Sequence, residues 1–299
     1  MMAITTEAPR ATKKGSHPQQ PERRRRRSGH RPNLLGGLGG WIWLAVIILP
    51  IYYVVITSVK NQAGFFGSNP LAPTLEPTLD NYAFVLEQGF AQYFLNSLIV
   101  TLGTVLPALV VSFMAAYAVV RGSGRFITWT NTLFLMGLAI PLHATIIPIY
   151  YMITRARLYD TLLALILPSI AFAIPISVLI LSNFLRNVPK ELFESMRLDG
   201  CSEFSMMWRL ALPLTRPAVV TVGIYNALQV WNGFLFPLIL TQSPDKRVLP
   251  LSLWAFQGEF TINIPAVLAA VVLATLPLLV LYVVARKQLV SGLTAGFSK

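Results

Sequence analysis

Six uncharged apolar stretches, at about residues 36–59, 94–120, 126–154, 161–184, 217–240 and 264–285, constrain this chain more than any other feature. Each exceeds the roughly 20 apolar residues a helix needs to cross the hydrocarbon of a bilayer. None contains Asp, Glu, Lys or Arg. With 55% of 299 residues hydrophobic, 12% charged and a mean hydropathy of +0.61, the composition is not that of a soluble domain. The expected fold class is an all-α integral membrane protein of six transmembrane helices. Prolines recur inside the runs (Pro50, Pro107, Pro141, Pro148, Pro168, Pro175, Pro237 and Pro277). Helices in lipid tolerate them where neighbours satisfy the freed carbonyls, so bent and closely packed spans are expected.

Charge sets the expected topology. Residues 1–31 carry nine Lys or Arg, including the run Arg23 to Arg27, and too little apolar surface to fold alone. Residues 1–33 are therefore expected to be a disordered basic tail ahead of a membrane domain at 34–299. The apolar run that follows is too long for a cleaved signal peptide. An arginine run beside a span is read as a topology determinant drawn to the anionic cytoplasmic leaflet, not as a nucleic-acid contact. Six spans put both termini on one side. Nineteen Lys and Arg then fall inside and five outside (Lys60, Arg155, Arg157, Lys246 and Arg247), which favours a cytoplasmic N-terminus and C-terminus.

Between spans four and five, residues 186–216 hold four of the twelve acidic residues. This loop must be in water. Pro189 can open a helix at its first position, Gly200 can close it in the left-handed conformation, and Ser202 can cap a second helix that stops before the Leu212-Pro213 pair. From Glu194 the spacing reads Glu-x-x-x-x-Asp-Gly through Asp199 and Gly200, then nine residues to Leu210-x-Leu212-Pro213. This closely resembles the cytoplasmic loop signature of membrane subunits of binding-protein-dependent ABC importers. Further echoes are PTLDNYAFVLEQGFAQYFLNSLIV with its Asn96-Ser97, SFMAAYAVVR at 112–121, LILPSIAFAIPISVLIL at 165–181 and the closing GLTAGFSK. Together they are similar to the carbohydrate-type permeases, and to the shorter membrane subunit of maltose importers.

The resemblance implies a type I ABC importer permease fold whose loop forms coupling helices that dock on a separate ATPase. Glu194, Asp199, Gly200, Leu210, Leu212 and Pro213 would carry that contact. It further implies a second permease subunit, two ATP-binding subunits and an extracytoplasmic substrate-binding protein, all gathered at a bacterial cell membrane. No catalytic residue, metal site or cofactor of this chain's own is expected, and ATP and Mg would sit on the partner ATPase. No nucleic-acid partner is expected.

The residues themselves agree with an energy source in another polypeptide. The chain has no GxxxxGK[ST] phosphate loop and a single cysteine, Cys201, which excludes an internal disulfide. The spans lack the buried carboxylates that proton-coupled carriers use, and only His143 titrates near neutral pH, where it is expected neutral, facing the bundle interior and hydrogen-bonded. An ion-coupled secondary carrier would explain six spans but not the loop motif. A membrane-embedded enzyme would need converging polar groups that the spans do not supply.

The fifth span offers amides and rings in YNALQVWNGF: Tyr225, Asn226, Gln229, Trp231 and Asn232. Asn226, Gln229 and Asn232 recur at a spacing of three, which puts the amides on one helical face. In the sugar-importing branch that this span resembles, such residues would line a substrate path, and hydrogen bonding between helices is the competing role. The implied cargo is a sugar or oligosaccharide. Glycerol phosphates and polyols are carried by related permeases, but an anion would meet no cation in these spans.

Overall fold

The computed structural model describes residues 34–67, 69–253 and 262–295, so the expected basic tail at 1–33 and the last residues of GLTAGFSK lie outside them. The chain divides into two units, residues 1–47 and 48–299. In the first, the described part is the opening stretch of helix α1 (Leu34–Ser58), where Trp41 and Trp43 are exposed.

The second unit carries the remaining helices. They are α2 (Gln62–Gly67), α3 (Asp80–Glu87), α4 (Phe90–Arg121), α5 (Arg125–Leu138), α6 (Ile146–Arg155), α7 (Leu162–Arg186) and α8 (Lys190–Leu198). After them come α9 (Glu203–Met206), α10 (Leu212–Trp231), α11 (Leu235–Leu240), α12 (Leu249–Ser252) and α13 (Ile264–Ala295). All regular elements among the described residues are helical, as the apolar runs require.

Among the described residues, four helices are long and apolar enough to cross a membrane: Gly36–Ser58, Phe90–Arg121, Leu162–Arg186 and Ile264–Arg286. A fifth span results if α5 and the segment Leu142–Arg155 are taken together, although they meet at 97°. The expected unbroken span at 126–154 is thus interrupted. Pro141 disfavours the helical region for the residue before it, and a 3₁₀ turn at Leu142–Thr145 reopens the chain in a new direction. The expected span at 217–240 also differs, because α10 ends at Trp231 and α11 starts only at Leu235.

The α10 helix begins earlier than expected. The chain does not stop before Leu212-Pro213 but runs from α9 through a π-helical turn at Met207–Ala211 into α10. Pro213 cannot donate to Arg209, and a widened turn absorbs the missing bond without ending the helix.

Helix α4 packs along α7, and α10 lies against α4, α7 and α13. Gly103 lets α4 approach α7, since a Cβ there would sit 2.9 Å from Ile166 Cδ1. Pro168 and Pro175 are accommodated inside α7, where Ser169 and Ser177 donate to the carbonyls of Leu165 and Ala173 at 2.7 and 2.6 Å. One apolar cluster joins Phe113, Tyr117, Val178, Leu181, Leu185, Phe193 and Met206 at one end of the bundle. Two others join Trp231 to Tyr93 and Ala270, and Leu165 to Val100 and Leu240.

The segment between α1 and α3 is tied by polar bonds. Buried Lys60 donates its Nζ to the carbonyl of Asn69 at 3.1 Å, and Asn81 Nδ2 donates to the carbonyls of Ser58 and Lys60 at 2.9 and 2.8 Å.

Candidate functional site

Two places concentrate the residues singled out above. The first is the arm formed by α8 and α9. Pro189 precedes α8 as its N-cap instead of occupying its first turn, with φ −55° and ψ 134°. Glu191 sits in the first turn and Arg197 in the last, both favourable to the helix dipole. Gly200, at φ +79°, closes the helix: its N–H reaches the carbonyl of Arg197 and that of Cys201 reaches Met196, each at 3.0 Å. Ser202 Oγ caps α9 by accepting from Ser205 N at 3.3 Å.

The arm is anchored through Phe193, which is 2% exposed among Tyr117, Leu185 and Met206. The Arg121 guanidinium lies 4.3 Å above its ring centre. Glu203 accepts from Tyr117 Oη at 2.8 Å and pairs with the Arg197 guanidinium. The phenol bond first, and then Arg197 and the charge of Arg121, hold the Glu203 carboxyl below the usual carboxylate range against partial desolvation.

Glu194, Asp199 and Gly200 are exposed on this arm, next to Leu198 at 90% exposure. Leu210 and Leu212 instead pack against the apolar cluster, and Pro213 is exposed at the start of α10. The motif therefore separates into an outward part and a structural part. Tyr117, Arg121 and Phe193 had no assigned role at the level of sequence, because contacts made some 80 residues apart leave no spacing signal.

The second place is a cavity of about 350 Å³ beside α10. Tyr225, Asn226 and Gln229 line it together with Ser97, Ser169, Phe172, Phe234 and Phe236, and its wall holds no Asp, Glu, Lys or Arg. The rings of Phe172 and Phe236 stand 6.0 Å apart. Asn226 is buried and donates to Ser177 Oγ at 2.8 Å, so it joins α10 to α7 as well as facing the cavity. Trp231 and Asn232 do not line it. Trp231 is buried with its Nε1 on the carbonyl of Ala274 at 3.2 Å and its ring edge-on to Phe94. Asn232 is exposed and bonds back to the carbonyl of Leu228 at 2.8 Å, because the helix has ended before it. Ser169 and Phe172, on α7, are additional lining residues that the fifth span alone could not indicate, and Phe236 lies in that span but beyond YNALQVWNGF. His143 is exposed on the 3₁₀ turn instead of facing the interior, whereas its neighbour Leu142 lines the cavity.

Residues 108–294, more than half of the chain, match the family described as the binding-protein-dependent transport system inner membrane component. The chain belongs to this family. It is accordingly an integral inner-membrane transport component, not an enzyme. A putative ABC transporter permease of Caldicellulosiruptor sp. (strain Rt8B.4) is 39% identical over 258 residues, covering 86% of this chain and 94% of that one. An arabinooligosaccharides transport system permease of Bacillus subtilis, AraQ, is 30% identical over 83% of this permease and 89% of its own length. A diacetylchitobiose uptake permease of Streptomyces coelicolor, NgcG, is 29% identical over 85% of each chain. Among solved structures, a bacterial alginate ABC transporter bound to its periplasmic protein superposes with a TM-score of 0.63 at 15% identity, over 84% of this permease and 92% of that chain. That likeness establishes the fold.

Proposed function

We propose that this permease forms half of the translocation path for a neutral sugar or oligosaccharide in an ATP-driven importer. The observation that carries this reading is the charge-free cavity, where Tyr225, Gln229 and Asn226 offer hydrogen bonds and Phe172 and Phe236 offer apolar ring faces. A sugar needs both kinds of surface and no counter-ion. The relatives named for arabinooligosaccharides and diacetylchitobiose support the same class. The absence of a cation from the wall disfavours a glycerol phosphate.

In this account six segments cross the membrane, with the broken segments α5–α6 and α10–α11 each completing one span, and both termini are cytoplasmic. A second permease subunit completes the path, an extracytoplasmic binding protein delivers the sugar, and two ATPase subunits carry ATP and Mg. Helix α8 and the turn at Gly200 form the coupling contact, with exposed Glu194 and Asp199 meeting the ATPase. Closure of the ATPases would then rock the bundle between its two access states.

Co-purification in mild detergent tests the assembly, followed by reconstitution in liposomes with diacetylchitobiose and an arabino-oligosaccharide as probes. Gly200→Pro and Glu194→Lys are expected to abolish uptake while leaving membrane insertion intact. Normal uptake by both variants would sink the coupling assignment, and uptake that follows an ion gradient without ATP would favour a self-contained carrier.

A further inference from the structure

We infer that Tyr117 is a positioning residue that transmits movement of the α8–α9 arm to α4, with Glu203 as the joint between them. The inference rests on the proposed ATP-driven importer. Tyr117 and Arg121 are four residues apart and share one face of the last turns of α4. Both meet the arm. The Tyr117 hydroxyl donates to Glu203 Oε2 at 2.8 Å, its ring lies 6.3 Å from that of Phe193, and Arg121 covers the same Phe193 ring. Glu203 in turn holds Arg197 of α8 through its other oxygen, so one carboxylate ties α4, α8 and α9 together.

The far part of α4 reaches the cavity, which Ser97 and Val100 help to line. A helix of 32 residues therefore has the arm at one end and the candidate sugar path at the other. A push on α8 reaches α4 through two kinds of contact. The ring packing of Phe193 resists compression, and the Tyr117–Glu203–Arg197 bonds resist separation. Packing alone cannot pull. The hydrogen-bonded joint supplies the return stroke, when the arm must draw α4 back. The ion pair is about half-exposed on both partners, so it can be remade at little energetic cost as the arm moves.

Tyr117→Phe keeps the ring against Phe193 and removes only the joint. The test is the number of sugar molecules imported per ATP hydrolysed, measured on the intact complex in liposomes with its binding protein. This ratio is independent of how much complex assembles, and a residue that only stabilised the fold would lower both activities in proportion. The expected result is a fall of about fivefold or more in the ratio for Tyr117→Phe. A smaller fall is expected for Glu203→Gln, whose amide oxygen can still accept from Tyr117. A wild-type ratio in Tyr117→Phe overturns the inference whatever Glu203→Gln does. If the unmodified complex shows no ATPase activity stimulated by the binding protein, it is the importer reading itself that fails.

Discussion

The two ends of α4 are fastened differently. Near its start, Asn96 is 2% exposed and donates to the backbone carbonyls of Asp245 and Arg247, both at 2.8 Å. Ser97 Oγ accepts from Leu249 N at 2.8 Å. Close to the same segment, Asp160 accepts from the backbone N–H groups of Gln242 and Ser243 at 2.8 and 3.0 Å. At its other end, α4 is held by side chain to side chain, through Tyr117, Glu203 and Arg197, with the ionic partners half-exposed. Bonds from the buried Asn96 and Ser97 side chains to fixed backbone groups leave those side chains no water or alternative partner to turn to. Exposed ionic contacts can be broken and remade with water as intermediary. One end of α4 is thus pinned and the other can yield, the asymmetry that a lever needs.

The largest expected effect falls on the pinned end. Asn96→Ala leaves two carbonyls without their donor, and about 2–3 kcal/mol of stability should be lost, seen as a drop of several degrees in the melting temperature in detergent. An unchanged melting temperature would mean that this end is not pinned. A smaller loss is expected for Asp160→Ala, on the order of 1–2 kcal/mol, because the carboxylate is partly solvated and its bonds are screened. The bonds from Ser243 and Gln242 hold the Asp160 carboxyl below its ordinary value. Its contribution is therefore present above the ordinary carboxylate range and lost as pH falls through the lowered value, and Asp160→Ala should flatten that acid dependence of the melting temperature.

At the yielding end the effect is smallest and local. The pKa of Glu203 is also lowered, so its hold on the arm is full above the ordinary value of 4.5 and fades only as pH falls further, through the folded value. Hydrogen exchange of the α8 amides, corrected for intrinsic rate, should be flat between pH 8 and 6 and should show lost protection only in acid. Loss of protection near neutral pH would place the joint elsewhere. Glu203→Gln should remove the acid step.

Several features of the fold were legible in the chain because they depend on near neighbours. Pro189, Gly200 and Ser202 mark the limits of α8 and α9, and each acts through a dihedral angle or a cap within a few residues. Pro141 is equally visible in the sequence, where it predicts only a tolerated bend. Whether a proline bends or breaks a span depends on which neighbours satisfy the freed carbonyls, and that is a tertiary matter. The same holds for Trp231 and Asn232. A spacing of three puts Asn232 on one face with Gln229, and Trp231 stands between them in the same segment, but α10 ends at Trp231, so its ring turns into an apolar cluster and the Asn232 side chain into the open.

Hydropathy and charge, which sum over residues along the chain, determined by themselves that this protein is helical and lies in a membrane. The tertiary structure decided which helices are broken, which polar residues of α10 face the cavity, and that Tyr117 and Glu203 meet 86 positions apart. Such contacts follow from how whole helices pack, and no local pattern of residues encodes the angle at which two helices cross.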